Sequence, residues 1–504
     1  KLVSFGFSTL VGTLFALEAA VPREGPPMLT VPRFALGKRK SDAPLAGDNG
    51  FRVSFGGEKV LYRKGDDWTI AALPPMADGP GGPPPAADGK GALKTGGLQV
   101  RVDPAAEWKQ IYDEVWRIQR DYFYDPNYHG LDLEATKKKF APFVAGIGSR
   151  NDLNYLFVEM LGEMSVGHMF VNGGERPEVQ GVPTGLLGAD YGIENARYRF
   201  ARIYDGENWN PGLRAPLTQP GVNVAAGDYL LAVNGRDLHA TDNIYSFFEA
   251  TAEKATVLTV GPDPSGTGSR QVTVVPVANE NRLRHLAWIE DNRRKVDEMT
   301  NGRVAYVHMP DTGRGGYDSF LRFFFAQVGK EAVIIDDRFN HGGSLATDIV
   351  EYLKRRPLSM AVARAGADFV QPQGAIFGPK VMIINEFAGS GGDAMPWYFR
   401  REGVGKLVGN RTWGGLVGIG GFPELMDGGS VTAPNMAIYN TDTGEYDVEN
   451  RGIEPDIAID MDPALVRKGR DPQLEKAVEV VMGELAKNPP PKFKRPPYPN
   501  YHAK

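Results

Sequence analysis

A serine flanked by glycines is the first feature of this sequence that could do chemistry. Ser390 stands in NEFAGSGGDAMPWYF, residues 385–399, directly after the apolar run VMII and before a segment with helical character. Glycines relax the limits on φ and ψ, so the hydroxyl could project from a strand-to-helix turn and the N–H of Gly391 could face a substrate oxygen. That geometry suits acyl transfer by a serine nucleophile. A helix N-cap or an ordinary glycine-rich turn explains the same string, and this stretch taken alone favours that simpler interpretation.

A serine nucleophile needs a base, and the composition limits what the base can be. The chain has no cysteine, which excludes a cysteine nucleophile, disulfides and thiolate metal sites. His308 and His341 lie inside an α/β pattern and compete for the role of base, whereas His168 lies in the string EMSVGHMF. The other four histidines fall in segments that indicate a loop, a domain surface, a linker and the tail: His129, His239, His285 and His502.

Length and charge exclude several other functions. A chain of 504 residues is long enough for two to four domains, and its formal charge of -5 comes from well mixed acidic and basic residues. Neither nucleic acid nor an anionic membrane is therefore predicted as a partner. Glycine clusters such as ADGPGG do not open a helix after a strand, as a phosphate loop must, and no cluster has metal-ligand spacing. We predict no cofactor and no metal.

Changes in pattern along the chain predict six parts of a multidomain protein. The first residues could be read as a signal-peptide core, but Gly6, Gly12 and Glu18 interrupt it. The segment GTLFALEA alternates as a β-strand does, so strands are predicted here. The parts are the truncated end of a β-propeller-like domain (1–72), a Pro/Gly linker (73–102), a helical domain (103–180), a β domain (181–280), an α/β domain (281–462), and a C-terminal helix with a Pro-rich tail (463–504).

The α/β domain is the part that must position the chemistry. Runs such as AVIID and VMIIN are apolar on both faces, as central strands covered by helices require. The loops at the carboxyl ends of parallel strands carry the site in such sheets, and both NHGG and FAGSGGD follow strands. The β domain resembles a PDZ domain through GDYLLAVNG, a strand with a tight Asn-Gly turn, and through GLLGAD, a candidate peptide-binding loop.

The chain as a whole resembles the tricorn proteases, relatives of the carboxy-terminal processing proteases. The resemblance rests on NEFAGSGGDAMPWYFRREGVGKLVGNRTWGG, on VENRGIEPDI and on the order of the domains, and it covers nearly all of the chain after residue 50. It implies Ser390 as nucleophile, His168 as general base and Glu449 as the acidic member of the imidazole network. It also implies oxyanion donors at Gly343 and Gly391, a catalytic core of the ClpP/crotonase type, a hexameric homo-oligomer and a cytoplasmic location, with the periplasm as the alternative.

Two positions depart from the patterns of the related branches. Carboxy-terminal processing proteases use a lysine base about twenty-five residues after the serine, where this chain has Gly415, so a histidine base fits better. The tricorn pattern has a serine directly before the histidine, where this chain has Gly167. Ser165 could supply the missing hydroxyl, or a water could bridge Glu449 and the imidazole, or Glu449 could only cap the sheet.

The predicted function is hydrolysis of peptide bonds in unfolded polypeptides or oligopeptides by a serine protease that forms an acyl-enzyme. Two alternatives stay open, a noncatalytic PDZ-containing scaffold that binds peptides and an esterase or amidase acting on small substrates. Asp393 is expected to be a carboxylate of the first helical turn rather than a catalytic group. The residues that select the substrate side chain are not predicted beyond three candidates: Arg364, Asp368 and Trp413.

Overall fold

The fold consists of two compact units, Lys1–Asp103 and Pro104–Lys504. The computed structural model describes residues 2–8, 13–20, 28–37, 39–46, 50–56, 58–65, 67–72, 91–177 and 179–502. Most of the predicted linker, residues 73–90, lies outside these ranges.

The first unit contains two antiparallel sheets, one of four strands and one of three, each in chain order. The second sheet has a third strand because the chain turns again at Gly65, whose φ of 59° favours glycine. The strands are β1 Leu2–Ser8, β2 Thr13–Ala20, β3 Met28–Ala35, β4 Lys40–Ala46, β5 Gly50–Val53, β6 Lys59–Lys64 and β7 Asp67–Ala72.

The second unit begins with three amphipathic helices and a short strand. Asp132 and Ser149 cap the second and third helices by accepting a backbone N–H bond. The apolar faces of the helices pack on residues from the segment 422–433, and a buried ion pair joins Arg150 to Asp427. The elements are α1 Pro104–Tyr122, α2 Leu133–Val144, α3 Arg150–Gly162 and β8 Val171–Asn172.

The PDZ-like part is a six-stranded antiparallel sheet in the order β14-β13-β11-β10-β9, with β12 paired to β11. The chain also forms a 3₁₀ turn at Ile244–Phe247, and the left-handed conformations of Ala250 and Glu253 prevent a longer helix there. The strands are β9 Ala189–Glu194, β10 Arg197–Ile203, β11 Tyr229–Val233, β12 Arg236–Asp237, β13 Thr256–Gly261 and β14 Arg270–Val274.

The remaining residues form an α/β domain around a five-stranded parallel sheet in the order β15-β16-β19-β20-β24. Neighbouring side chains of a strand point to opposite faces, so Val304 packs toward α4 and α9, while Ala305 packs toward α5, α6 and α7. The strands are β15 Val304–His308, β16 Ala332–Asp336, β19 Lys380–Ile384, β20 Gly405–Gly409 and β24 Ile457–Ala458, and the helices are α4 Asn281–Met299, α5 Arg314–Phe325, α6 Ala346–Leu353, α7 Gly391–Arg401, α8 Pro463–Val466 and α9 Pro472–Lys487.

Smaller strand pairs lie outside the central sheet. The start of the segment SMAVARA, residues 359–365, pairs antiparallel with β18 instead of joining that sheet. β22 pairs with β8 of the helical part. These strands are β17 Ser359–Ala361, β18 Phe369–Gln371, β21 Val417–Ile419, β22 Ser430–Val431 and β23 Pro434–Ala437.

The carboxyl ends of the central strands meet at one edge of the sheet. The loops that leave β15, β16, β19 and β20 therefore come together there, and they contain NHGG, FAGSGGD and RTWGG. This edge is where the sequence predicted a site.

Candidate active site

Ser390 lies in a strained turn between β19 and α7. Its φ of 58° and ψ of -113° are rare for a residue with a side chain. The N–H of Ser390 donates to the Gly415 carbonyl at 3.0 Å and to Asp393 at 2.9 Å, so the strained conformation is held on both sides. A Cβ on Gly389 would lie 2.5 Å from the Trp413 ring, which explains why only glycine fits before the serine.

Asp393 holds the turn rather than taking part in a triad. The carboxylate is buried in the first turn of α7 and accepts N–H bonds from Ser390, Gly414 and Gly415 and a hydroxyl bond from Thr412. Burial raises the pKa of this carboxyl, and the hydrogen bonds that it accepts oppose the rise. Asp393 thus fastens the segment RTWGG to the turn that carries Ser390.

Gly343 and Gly391 adjoin each other next to the turn. An ideal Cβ on Gly391 would lie 2.8 Å from the backbone nitrogen of Gly343. Within the described residues, neither N–H donates to an acceptor. A Cβ on Gly342 would lie 2.7 Å from the Ser390 Cβ, so the loop passes directly against the serine. Two free donors beside a strained serine form an arrangement that can bind an oxyanion.

Asn340, which the sequence did not mark as a functional residue, fixes this loop. Its Oδ1 accepts the N–H of Gly342 at 2.8 Å, its Nδ2 donates to Asp337 at 2.7 Å, and its carbonyl accepts the N–H of Gly389 at 3.0 Å. Burial raises the pKa of the Asp337 carboxyl well above its ordinary value. The position of Asn340 directly before HGG was the only signal in the sequence, since its contacts join residues far apart in the chain.

His168 is buried, with 7% of its surface exposed, and lies in the loop after α3 with φ of 61°. Thr432 holds this loop because its hydroxyl donates to the His168 carbonyl and accepts the N–H of Phe170. Burial lowers the pKa of the imidazole below its ordinary value. Nδ1 is buried and has no hydrogen-bond partner in the described part of the chain.

Trp413 connects the serine and histidine segments. Its ring centroid lies 5.2 Å from that of His168, and its ring packs against Gly389, directly before Ser390, and Gly167, directly before His168. The structure therefore brings the two segments onto one indole ring. Among the described residues, no hydrogen bond joins the Ser390 hydroxyl to the imidazole.

Glu449 contacts the loop of His168 rather than its ring. The carboxylate accepts the N–H of Gly167 at 2.6 Å and that of Leu416. Burial raises the pKa of this carboxyl, and these two bonds oppose the rise. Glu449 thus ties the loop of His168 to the segment after Gly415.

The structure does not support Ser165 as the relay that the sequence left open. Its hydroxyl donates to the carbonyl of Glu163 at 3.4 Å, and its own carbonyl accepts the side-chain N–H of Asn450 at 2.7 Å. The left-handed φ of 54° at Ser165 turns the chain before it reaches the imidazole. Its hydroxyl therefore does not fill the place left by Gly167.

The other residues considered as base or as substrate-selecting groups lie in different surroundings. His308 is buried on β15 with Nδ1 3.1 Å from the Asp336 carbonyl, and burial lowers its pKa to about 4. His285 lies on α4 rather than in a linker. Lys406, the lysine nearest in sequence to Gly415, pairs with Glu484 of α9. Asp368, a candidate for substrate selection, is bound by Arg495 of the tail.

We expect Gly391→Ala to destabilise the protein. The new Cβ would lie 1.9 Å from Thr312 Oγ1 and 2.4 Å from the Gly343 carbonyl oxygen, and such overpacking costs about 2 kcal/mol. Thermal unfolding measures the effect. The matched control is Gly483→Ala on α9, where a Cβ enters open space. Equal melting temperatures for the two variants would contradict the packing described at Gly391.

Three segments of this chain match models of known protein families. Residues 104–162 match the tricorn protease C1 domain, residues 185–279 the tricorn protease PDZ domain, and residues 303–459 peptidase family S41. Tricorn protease homolog 1 of Streptomyces coelicolor is 34% identical over 486 residues, covering 95% of this chain and 44% of the relative. Tricorn protease of Thermoplasma acidophilum is 32% identical over 380 residues, covering 75% of this chain and 35% of the relative.

A solved structure also matches. The crystal structure of the tricorn protease superposes with a TM-score of 0.85 at 27% identity, covering 94% of this chain and 46% of that chain. This chain therefore spans less than half the length of the relatives that it matches. Within the described ranges, no helix is both long and apolar enough to cross a membrane, and no three acidic or histidine side chains group as metal ligands do.

Proposed function

Because this chain belongs to the tricorn protease family, we propose that it is a serine protease that hydrolyses peptide bonds of unfolded polypeptides or oligopeptides through an acyl-enzyme. One observation carries the proposal. The strained turn at Ser390 stands beside the N–H groups of Gly343 and Gly391, which have no acceptor in the described residues. Incubating the full chain with a pool of unstructured peptides tests it by mass spectrometry. New peptide ends support the proposal, and an intact pool contradicts it.

In the proposed reaction, the Ser390 hydroxyl attacks the scissile carbonyl carbon while the His168 imidazole takes its proton. The negative charge that develops on the carbonyl oxygen is stabilised by the N–H groups of Gly343 and Gly391. His168 then returns the proton to the leaving amine, and the acyl group stays on Ser390. Water, activated by the same imidazole, hydrolyses this ester and restores the serine.

Three features support His168 as the base. Burial favours its neutral form, which a base requires, and Trp413 packs against both its ring and the residue before Ser390. Thr432 and Glu449 fix the loop that carries it. A direct bond to the Ser390 hydroxyl is not needed in the free enzyme, because catalytic hydrogen bonds often tighten only when substrate binds.

The role we propose for Glu449 is positioning. It accepts the N–H of Gly167, so it orients the peptide unit before the imidazole instead of bonding to Nδ1. A water molecule at Nδ1 would then supply the support that a serine hydroxyl gives in the tricorn pattern. Nδ1 without a protein partner in the described residues supports this assignment.

We expect Gly167→Ser to be more active than Gly167→Ala. Both variants add a Cβ 3.1 Å from the Gly415 Cα and 3.2 Å from Glu449 Oε1, so they share the same crowding. Only serine adds a hydroxyl next to the carboxylate and beside the imidazole, where it can help to stabilise the imidazolium. We expect a kcat about tenfold higher for the serine variant, the order of one hydrogen bond to a charged group. Equal kcat values would show that no hydroxyl relay operates here.

The assembly and the finer fold assignments are also part of the proposal. The two antiparallel sheets of residues 1–72 support the end of a β-propeller-like domain, and the parallel sheet with helices on both faces supports a core of the ClpP/crotonase type. We propose that residues 103–504 divide into four parts, with the ranges 103–180, 181–280, 281–462 and 463–504. We propose a hexamer in the cytoplasm by analogy with the family, and sedimentation of the full chain measures its size.

A further inference from the structure

A cavity of about 570 Å³ opens at the carboxyl edge of β15, beside the loop that carries the proposed oxyanion donor. It lies between the first turns of α4 and the loops that follow β15 and β16. Its walls are mostly apolar, and the residues that matter here are His285, Trp288, His308, Phe339 and His341. The mechanism above uses none of these side chains.

Packed rings form the walls. The ring of His308 lies 4.8 Å from that of Trp288 and 5.1 Å from that of His285, both nearly perpendicular. Arg338, buried in ion pairs with Asp336 and Asp471, has its guanidinium 5.7 Å from the Trp288 ring. The wall is therefore held in place by the protein behind it.

Two charged side chains line the cavity, Arg282 and Asp311. The guanidinium of Arg282 lies against Gly212, where an ideal Cβ would be 2.1 Å from its Nη1. Asp311 lies at the edge, but its carboxylate accepts the N–H groups of Gly313 and Gly316 at the start of α5.

His285 is exposed at the rim, yet partial burial of its ring lowers its pKa, with a smaller contribution from His341. Burial lowers the pKa of His308 to about 4. The aromatic rings that form most of the wall favour an apolar occupant.

The loop after β16 lines the cavity and also passes against the nucleophile. His341 directly precedes Gly342, whose backbone passes against Ser390. Phe339, 44% exposed, stacks at 5.5 Å on Phe387, which is 61% exposed and lies three residues before Ser390. Exposed aromatic rings thus continue from the cavity to the turn of the serine.

We propose that this cavity is a substrate subsite that takes an aromatic or large aliphatic side chain of the peptide, within a few residues of the scissile bond. The occupant is part of the peptide because one loop lines the cavity with His341 and passes against the nucleophile with Gly342. The cavity then selects which bonds are cut. The claim that the cavity selects cleaved bonds rests on the proposed function. The claim that it binds a peptide side chain does not, and peptide binding tests it independently.

The binding arm of the test uses the full chain with Ser390→Ala, so that peptides stay intact. Fluorescein-labelled peptides of Gly, Ser and Ala carry a single Phe that is moved along the sequence, and anisotropy gives each Kd. We expect one position of Phe to bind at least tenfold more tightly than its Ala counterpart, the order expected for burying one aromatic side chain. No preference at any position overturns the subsite.

The variant arm adds a carboxylate to the cavity wall. His285 is exposed at the rim, so His285→Glu should fold, and it should reduce the Phe-to-Ala preference about tenfold because the charge disfavours an apolar occupant. His502→Glu makes the same change in the exposed tail and should keep the preference. An unchanged preference in His285→Glu overturns the assignment of this cavity.

The cleavage arm separates the two proposals. The wild-type chain is given the same peptides, and the cut positions are read by mass spectrometry. Cleavage without a Phe preference overturns the subsite and leaves the protease. Binding with a preference that His285→Glu removes, but without cleavage, supports the subsite and contradicts the protease. Absence of both binding and cleavage overturns the subsite as well.

Discussion

Ser390→Ala is expected to lower kcat for peptide hydrolysis by about 10⁴-fold or more, the range found when a serine nucleophile is removed. The reason is that the acyl-enzyme cannot form without the hydroxyl. Fold and binding should remain, because the backbone contacts of the turn, to Gly415 and Asp393, do not involve the side chain. The measurement is the initial rate of product formation from a defined peptide by quantitative mass spectrometry.

The control for this variant is Ser359→Ala. Ser359 is exposed on β17, outside the central sheet, so its removal should leave kcat within about twofold, as surface substitutions usually do. Circular dichroism and melting temperature should be the same for both variants and the wild type. If Ser390→Ala keeps most of the activity while folded, another residue is the nucleophile.

His168→Ala is expected to lower kcat by about 10³-fold or more, since in the described part of the chain His168 is the imidazole that packs on the ring of Trp413 beside the serine turn. The fold should tolerate the change because Thr432 and Glu449 hold the backbone of the loop, not the ring. His239→Ala, in an exposed side chain of the PDZ-like part, is the control and should keep its activity. Similar rates for His168→Ala and wild type would return the role of base to His308 or His341.

The pH dependence of the wild-type rate should also reflect His168 as the base. The base acts only when neutral, and burial lowers the pKa of His168, so the imidazole stays neutral to a lower pH than an exposed histidine. The midpoint of the acid limb of the kcat/KM profile should therefore lie at a pH below 6.5, the ordinary pKa of histidine. The limb should disappear from the residual activity of His168→Ala. A limb above 6.5 would contradict burial as the dominant effect on this group.

Local patterns predicted much of the fold and the family. The apolar runs before NHGG and FAGSGGD predicted strands of one parallel sheet, and the glycines around Ser390 predicted a tight turn at its carboxyl edge; the structure has both. The resemblance to the tricorn proteases and the PDZ domain are confirmed by the comparisons. Strands and tight turns depend mainly on residues that are close in sequence, which is why local patterns predict them.

Long-range contacts set the limits of the prediction. The roles of Asn340 and Trp413 depend on contacts between loops, and the attachment of the helical part depends on Arg150 meeting Asp427. The segment around Ser359 has strand character, but only tertiary packing decides that it pairs with β18 and not with the central sheet. Ser165 lies close to His168 in sequence, yet its left-handed backbone leads its hydroxyl elsewhere.

The most direct test of the central claim is covalent labelling of the full chain with a fluorophosphonate, followed by intact mass and peptide mapping. If Ser390 is an activated nucleophile, one adduct forms on the peptide containing Ser390, none forms on Ser390→Ala, and labelling of His168→Ala is strongly slowed. An unlabelled wild-type protein, or an adduct on another residue, would contradict the claim that this turn carries the nucleophile.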